Sequence, residues 1–206
     1  MKSSLFKQGI TAIVGIAFAL GAVTVSVAAP KKGGILNFVV GSKIPSYDGH
    51  IESTFGMIHP IRPFYSLLFR VNPDNPADPT DFQCDVCEGN IPSGAKGGTE
   101  YTFKIRKGLQ FHDGTPLNAH DVKATFDKIV FPPKGVASNR KAMFKMVKSI
   151  EVSDDHTIVF TLKFPSGAFI PSAGMPFNFI YSKKDLDAHG YEWHKKNVNG
   201  SGAFIF

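Results

Sequence analysis

The sequence predicts an α/β fold. Three observations carry this reading: a period-2 run at 101–106, a capped helix from Asn118 to the Pro132-Pro133 pair, and an alternating hairpin over 150–164. The chain has 206 residues, enough for one good core or two small domains. Its 19 phenylalanines fit a core, and some could line a ligand cleft.

The elements follow in order. "GGILNFVVGS" is a short apolar run bounded by glycines and predicts a buried strand. The next segment is loop-like through Pro45, Gly49, Gly56 and Pro60. Pro63 to Arg70 then has enough apolar residues for a helix packed on one face. "NPDNPADPTDF" is a Pro/Asp loop and "SGAKGG" a turn. In the strand that follows, Tyr101, Phe103 and Ile105 point one way, and Thr102, Lys104 and Arg106 the other. Leu109 and Phe111 resume it, and Asp113-Gly114 turns the chain. Asn118 is an N-cap with Asp121 three residues on, and Val122, Phe126, Ile129 and Val130 follow at helical spacing. Arg140 to Ser149 is predicted helical, with Ala142, Met143, Met146 and Val147 on one stripe. A hairpin turns at Asp154-Asp155, and "SKKDLDAHG" is a short helix stopped by Gly190. "NGSGAFIF" reads as a glycine turn running into a strand, and its abrupt apolar end suggests a chain cut short.

Residues 1–28 have the layout of a secretory signal peptide: Lys2 and Lys7, an uncharged apolar run from Ile10 to Val27, and small residues at Ser26 and Ala28 for cleavage. An uncleaved membrane anchor is the alternative. Removing this segment lowers the formal charge from +6 by two. The basic residues are scattered, so nucleic-acid binding has little support. Cys84 and Cys87 stand in a CxxC. A redox pair, half a zinc site or a small disulfide would each fit. Zinc lacks two further ligands at suitable spacing, glycine and proline follow the pair instead of a helix, and export favours a local disulfide clamping a loop.

His112, Asp113 and Asp121 could form an acid/base site. Thr115, the nearest plausible nucleophile, has no base at a diagnostic spacing, and each member has a structural reading: strand end, turn and first-turn acid. His189 and His194 are five apart, a poor metal pair.

The stretch "YTFKIRKGLQFHDGTPLNAHDVKATFDKI" resembles the signature region of family 5 extracellular solute-binding proteins. The ordered pieces are Thr102-Phe103 with Arg106 and Gly108, Phe111-His112-Asp113-Gly114 with Pro116, and Ala119 with Asp121-Val122. "PSYDGHIES" resembles the family's N-terminal segment, with Gly49 where proline is common. "NVNGSGAFIF" resembles its N-P-x-G-T-G-P-F segment, with Ser201 and Ala203 departing.

The resemblance implies a periplasmic-binding-protein type II-like receptor of two lobes, of which the first part of lobe I and its extra subdomain are present. Its implied divisions are a signal peptide at 1–28, a first segment of lobe I at 29–61, the extra subdomain at 62–190 and a return into lobe I at 191–206. It implies a monomeric periplasmic component of an ABC importer that delivers peptides or similar small solutes to a membrane permease, without catalysis or cofactor. By position, the ligand contacts would be Glu52, Ser53 and Thr54, with Tyr47 and Asp48 weaker candidates; Asp48 is expected to cap backbone N–H groups. A small exported disulfide or redox module centred on Cys84 and Cys87, or less readily an exported hydrolase, is the alternative.

Overall fold

Residues 65–69, the run YSLLF, are buried almost without interruption because the chain passes between two cores. Tyr65 and Leu67 enter one, Leu68 and Phe69 the other. The computed structural model describes residues 33–35 and 37–206, and residues 39–206 make one unit. The signal-peptide expectation lies outside the described residues. Among those described, no helix is long and apolar enough to cross a membrane.

The elements are α1 (Phe55–Ile61), β1 (Phe69–Val71), β2 (Phe82–Cys84), β3 (Cys87–Glu88), β4 (Glu100–Ile105), α2 (Ala119–Val130), β5 (Val147–Asp154), β6 (Thr157–Leu162), α3 (Phe169–Ala173) and α4 (Lys183–His189). β1 and β2 form an antiparallel pair. The main sheet is antiparallel in the order β3-β4-β6-β5. Tyr101, Phe103 and Ile105 of β4 and Ile158, Phe160 and Leu162 of β6 are buried on one face, where Val122, Phe126 and Ile129 of α2 pack among them. The Phe160 ring lies 5.1 Å from Phe126, 5.4 Å from Phe169 and 5.8 Å from Phe103.

Local chemistry sets the main boundaries. Asn118 accepts the His120 N–H at 2.8 Å, and Asp121 accepts the Asn118 N–H at 2.9 Å, so α2 starts on a capping box. The second Asp121 oxygen accepts the Lys183 N–H at 2.8 Å and ties the start of α4 to α2. Burial raises the Asp121 carboxyl above its ordinary range. Ser182 caps α4, and Gly190 ends it at φ 79°.

Four expected elements differ. Residues 33–35 and 37–40 form no strand, and Ile35 and Val39 are exposed; among the described residues no partner strand pairs with them. The helix expected at Pro63–Arg70 is a single 3₁₀ turn, Arg62–Phe64, followed by extended chain. The backbone there is claimed laterally: Val86 donates to the Leu67 carbonyl, Cys87 to Leu68 and Ile180 to Ser66. A helix forms instead at α1, within the segment read as loop, because Met57, Ile58 and Ile61 find the second core. In 140–149 only Lys141–Phe144 is helical, as 3₁₀, and β5 begins at Val147, which pairs with Leu162.

The fourth is the terminal segment, which bends instead of forming a strand. It is held by His112 N to the Gly200 carbonyl at 2.8 Å and by Gly202 N to the Phe64 carbonyl at 3.0 Å. A Cβ at Gly200 would stand 1.8 Å from the Phe64 carbonyl oxygen, and one at Gly202 2.4 Å from that of Pro63. Gly200→Ala is therefore expected to lower stability by about 1–3 kcal/mol or more, since backbone must move to admit the methyl. Urea unfolding of the variant beside the parent checks this.

The candidate site: a loop fixed from behind

The loop at 47–54 is organised around Asp48, which is almost wholly buried. One carboxylate oxygen accepts the His50 N–H and the Tyr181 hydroxyl, each at 2.9 Å. The other meets the Lys128 ammonium at 2.7 Å, with both side chains only 1% exposed. The Tyr181 oxygen in turn accepts the Gly49 N–H at 2.9 Å. Burial lowers the Lys128 pKa, while Asp48 works the other way. Burial first, then the charge of Asp48, raises that of Tyr181.

Residues 139–140 hold the same loop by its carbonyls. Arg140 donates to the Gly49 carbonyl at 2.8 Å, to that of His50 at 3.1 Å, and also to that of Glu52. The Asn139 backbone N–H donates to the His50 carbonyl at 3.2 Å, and its side chain to that of Ile51. The guanidinium lies 4.3 Å from the Phe177 ring centroid. Burial brings its pKa down to about 10, so it stays charged at neutral pH. Four successive carbonyls, 49 to 52, are thus turned into the protein.

Gly49 has a reason here. A Cβ would meet the Phe179 ring at 2.6 Å and the Phe177 carbonyl oxygen at 2.7 Å. Proline would also remove the N–H that Tyr181 accepts.

Of the ligand candidates, Glu52, Ser53 and Thr54 fall together on the outward side of this loop. Glu52 is partly buried, and Ser53 and Thr54 are exposed. Among the described residues none of the three side chains has a hydrogen-bond or ion-pair partner. Tyr47 differs: it is partly buried against the second core, with its ring 5.2 Å from Phe206. Lys128, Asn139, Arg140 and Tyr181 carry the architecture and were not legible as site residues. The periodicity of α2 gave no signal for Lys128, because it lies on the face of Asp121 and Thr125, away from Val122, Phe126 and Ile129, and reads there as a solvated lysine.

The His112 stretch holds backbone. His112 Nε2 lies 3.0 Å from the Gly202 carbonyl oxygen, Asp113 accepts from Thr115 N at 3.0 Å, and Asp121 caps α2. Cys84 and Cys87 are joined by a disulfide with Cα atoms 4.9 Å apart. Cys87 is fully buried, which does not suit an exchanging thiol. His189 stacks on Trp193 at 5.0 Å, while His194 stacks on Tyr181 at 3.7 Å.

Solved structures of type II periplasmic binding proteins superpose on this arrangement, so the chain has part of the fold of that class of binding protein. Residues 92–206 match the family described as "Bacterial extracellular solute-binding proteins, family 5 Middle". The chain belongs to this family. It is 34% identical over 115 residues to the oligopeptide-binding protein AppA of Bacillus subtilis, and 35% identical over 109 residues to the glutathione-binding protein GsiB of Pectobacterium atrosepticum. Each alignment covers 53% of this chain and 21% of the relative, so the chain spans about a fifth of the curated relatives it matches. The structure of B. subtilis AppA in complex with a nonapeptide superposes with a TM-score of 0.67 at 27% identity, over 78% of this chain and 31% of that one. DppA of Helicobacter pylori in complex with the peptide STSA gives 0.66 at 25% identity, over 81% and 36%.

Proposed function

We propose that this chain is part of the substrate-binding component of an ABC importer. It captures peptides or similar small solutes in the periplasm, reached through the signal peptide at 1–28, and hands them as a monomer to a membrane permease without chemical turnover. Residues 29–61 and 191–206 belong to lobe I, and 62–190 to its extra subdomain. Glu52, Ser53 and Thr54 contact the ligand from this lobe, Glu52 facing a cationic group such as a peptide amine, while Tyr47 flanks the loop.

The observation that carries this reading is the clamp on carbonyls 49–52. A rigid loop with outward polar groups lowers the ordering cost of binding. Membership of a family whose named relatives bind oligopeptides and glutathione supports the substrate class.

The test is calorimetry on the protein recovered from the native cell envelope, stripped of retained ligand, with glutathione and a set of di- to nonapeptides. At least one should bind. Arg140→Leu should weaken that binding about tenfold by loosening the loop, and Glu52→Gln should weaken amine-bearing ligands most. Absence of binding by every probe, together with no retained small molecule in native mass spectrometry, would sink the proposal.

A further inference from the structure

A second polar groove, of about 440 Å³, lies between the 62–66 turn, the Cys84–Cys87 loop and the 201–204 bend. None of its lining residues belongs to the 47–54 loop. Three arginines line it, Arg62, Arg70 and Arg106, against one carboxylate, Asp85.

That carboxylate is already engaged. It accepts the Leu67 N–H at 2.9 Å and lies 3.6 Å from Arg62, which also donates to the Tyr65 carbonyl. Arg106 grips the disulfide loop, donating to the Cys87 carbonyl at 2.8 Å and to that of Cys84 at 3.4 Å, and keeps further N–H groups free. Arg70 is different. It is partly buried, its Nε has no hydrogen-bond partner, and no other atom of its guanidinium bonds among the described residues. The Ser201 hydroxyl, on the same wall, is buried and unpartnered too.

A buried, unpaired guanidinium Nε and a buried, unpaired hydroxyl on two residues that line one groove are costly unless something else satisfies them. Burial lowers the pKa of Arg62, with Asp85 opposing and Arg70 adding to the fall, as expected where like charges crowd. The groove is larger than an inorganic ion needs, and Leu109 and Phe204 supply an apolar side.

We propose that this groove binds a small organic carboxylate. The planar anion pairs with the Arg70 fork and the Ser201 hydroxyl, and the aliphatic end lies on Leu109 and Phe204. This site is additional to the 47–54 loop and does not depend on the reading of that loop.

Calorimetry with hexanoate on the protein from the native envelope tests it, with hexan-1-ol as the uncharged probe of equal length. Hexanoate should bind and hexan-1-ol should not. Arg70→Gln should weaken hexanoate about tenfold or more, while Lys141→Gln, which removes an equal charge on another face, should leave it unchanged. Should Arg70→Gln fail to fold, nitrogen-15 correlation of arginine Nε–H groups in the parent protein decides: one resonance should move on adding hexanoate. No heat with hexanoate, equal binding of hexan-1-ol, an unaffected Arg70→Gln variant, equal losses in both variants, or unmoved Nε–H signals would each overturn it.

Discussion

Lys128→Met is expected to destabilise the protein by about 3–5 kcal/mol, the cost of leaving a buried charge without its partner. The pair is closed to water, with Lys128 and Asp48 each 1% exposed at 2.7 Å. Methionine fills the lysine volume, so the loss comes from charge and not from a cavity. Asp48 would keep its bonds from His50 and Tyr181, but two neutral donors do not replace an ammonium. Adding Asp48→Asn to the same chain should recover a large part of the loss, because the amide oxygen still accepts from His50 and no charge remains. Urea unfolding of parent, single and double variants gives the answer. A Lys128→Met variant as stable as the parent would mean that the pair does not hold the loop, and the anchoring account of 47–54 would fall with it.

The ease of reading this chain followed the range of the interactions. β4, the β5–β6 hairpin, α2 and α4 rest on neighbouring residues: alternation, an Asn118 cap, a glycine stop. Those were legible. The stretch 65–69 was not, because its apolar content matches a helix face equally well, and only the hydrogen bonds from residues 85–87 and 180 decide against a helix. Residues 37–40 failed for the opposite reason: an apolar run becomes a strand only beside a partner. The site shows the same division. That Asp48 would cap its own loop was readable from turn chemistry, and His50 N donates to it. That Lys128 lies 80 residues away and Arg140 91 residues away from their partners in the loop was not, since no local pattern encodes such contacts. The glycine at 49 looked like a departure from the resembled pattern; packed against Phe179, it is the residue that fits.

Acid should loosen this same network well before ordinary carboxylates protonate. His194 is buried, and its pKa is held down to about 3 by burial first and by Lys128 second, with Asp48 opposing and His50 and His189 contributing. His50 is likewise lowered by burial, then by Lys128. Neither ring has a place for a second proton. His194 Nε2 and His50 Nδ1 are buried without partners, so a proton added there meets no acceptor. A free histidine titrates near 6.5. The unfolded chain therefore binds a proton that the folded chain refuses between that pH and about 3. The stabilising contribution of His194 is complete above its unfolded pKa and drains away as pH falls through this window, at about 1.4 kcal/mol per unit, reaching about 3 kcal/mol near pH 4. His194→Phe keeps a ring against Tyr181 and removes the titration. In urea unfolding at pH 7 and at mildly acidic pH, the parent should lose more stability than this variant by that margin. Equal losses would place the acid sensitivity elsewhere. The loop at 47–54 shares these groups, since the His50 Nε2 lies 2.9 Å from the Phe179 carbonyl oxygen and Tyr181 bridges His194 and Asp48. A protonated ring at either position would thus strain the anchor that fixes Glu52, Ser53 and Thr54, and the loop should open at a milder pH than the β4–β6 core.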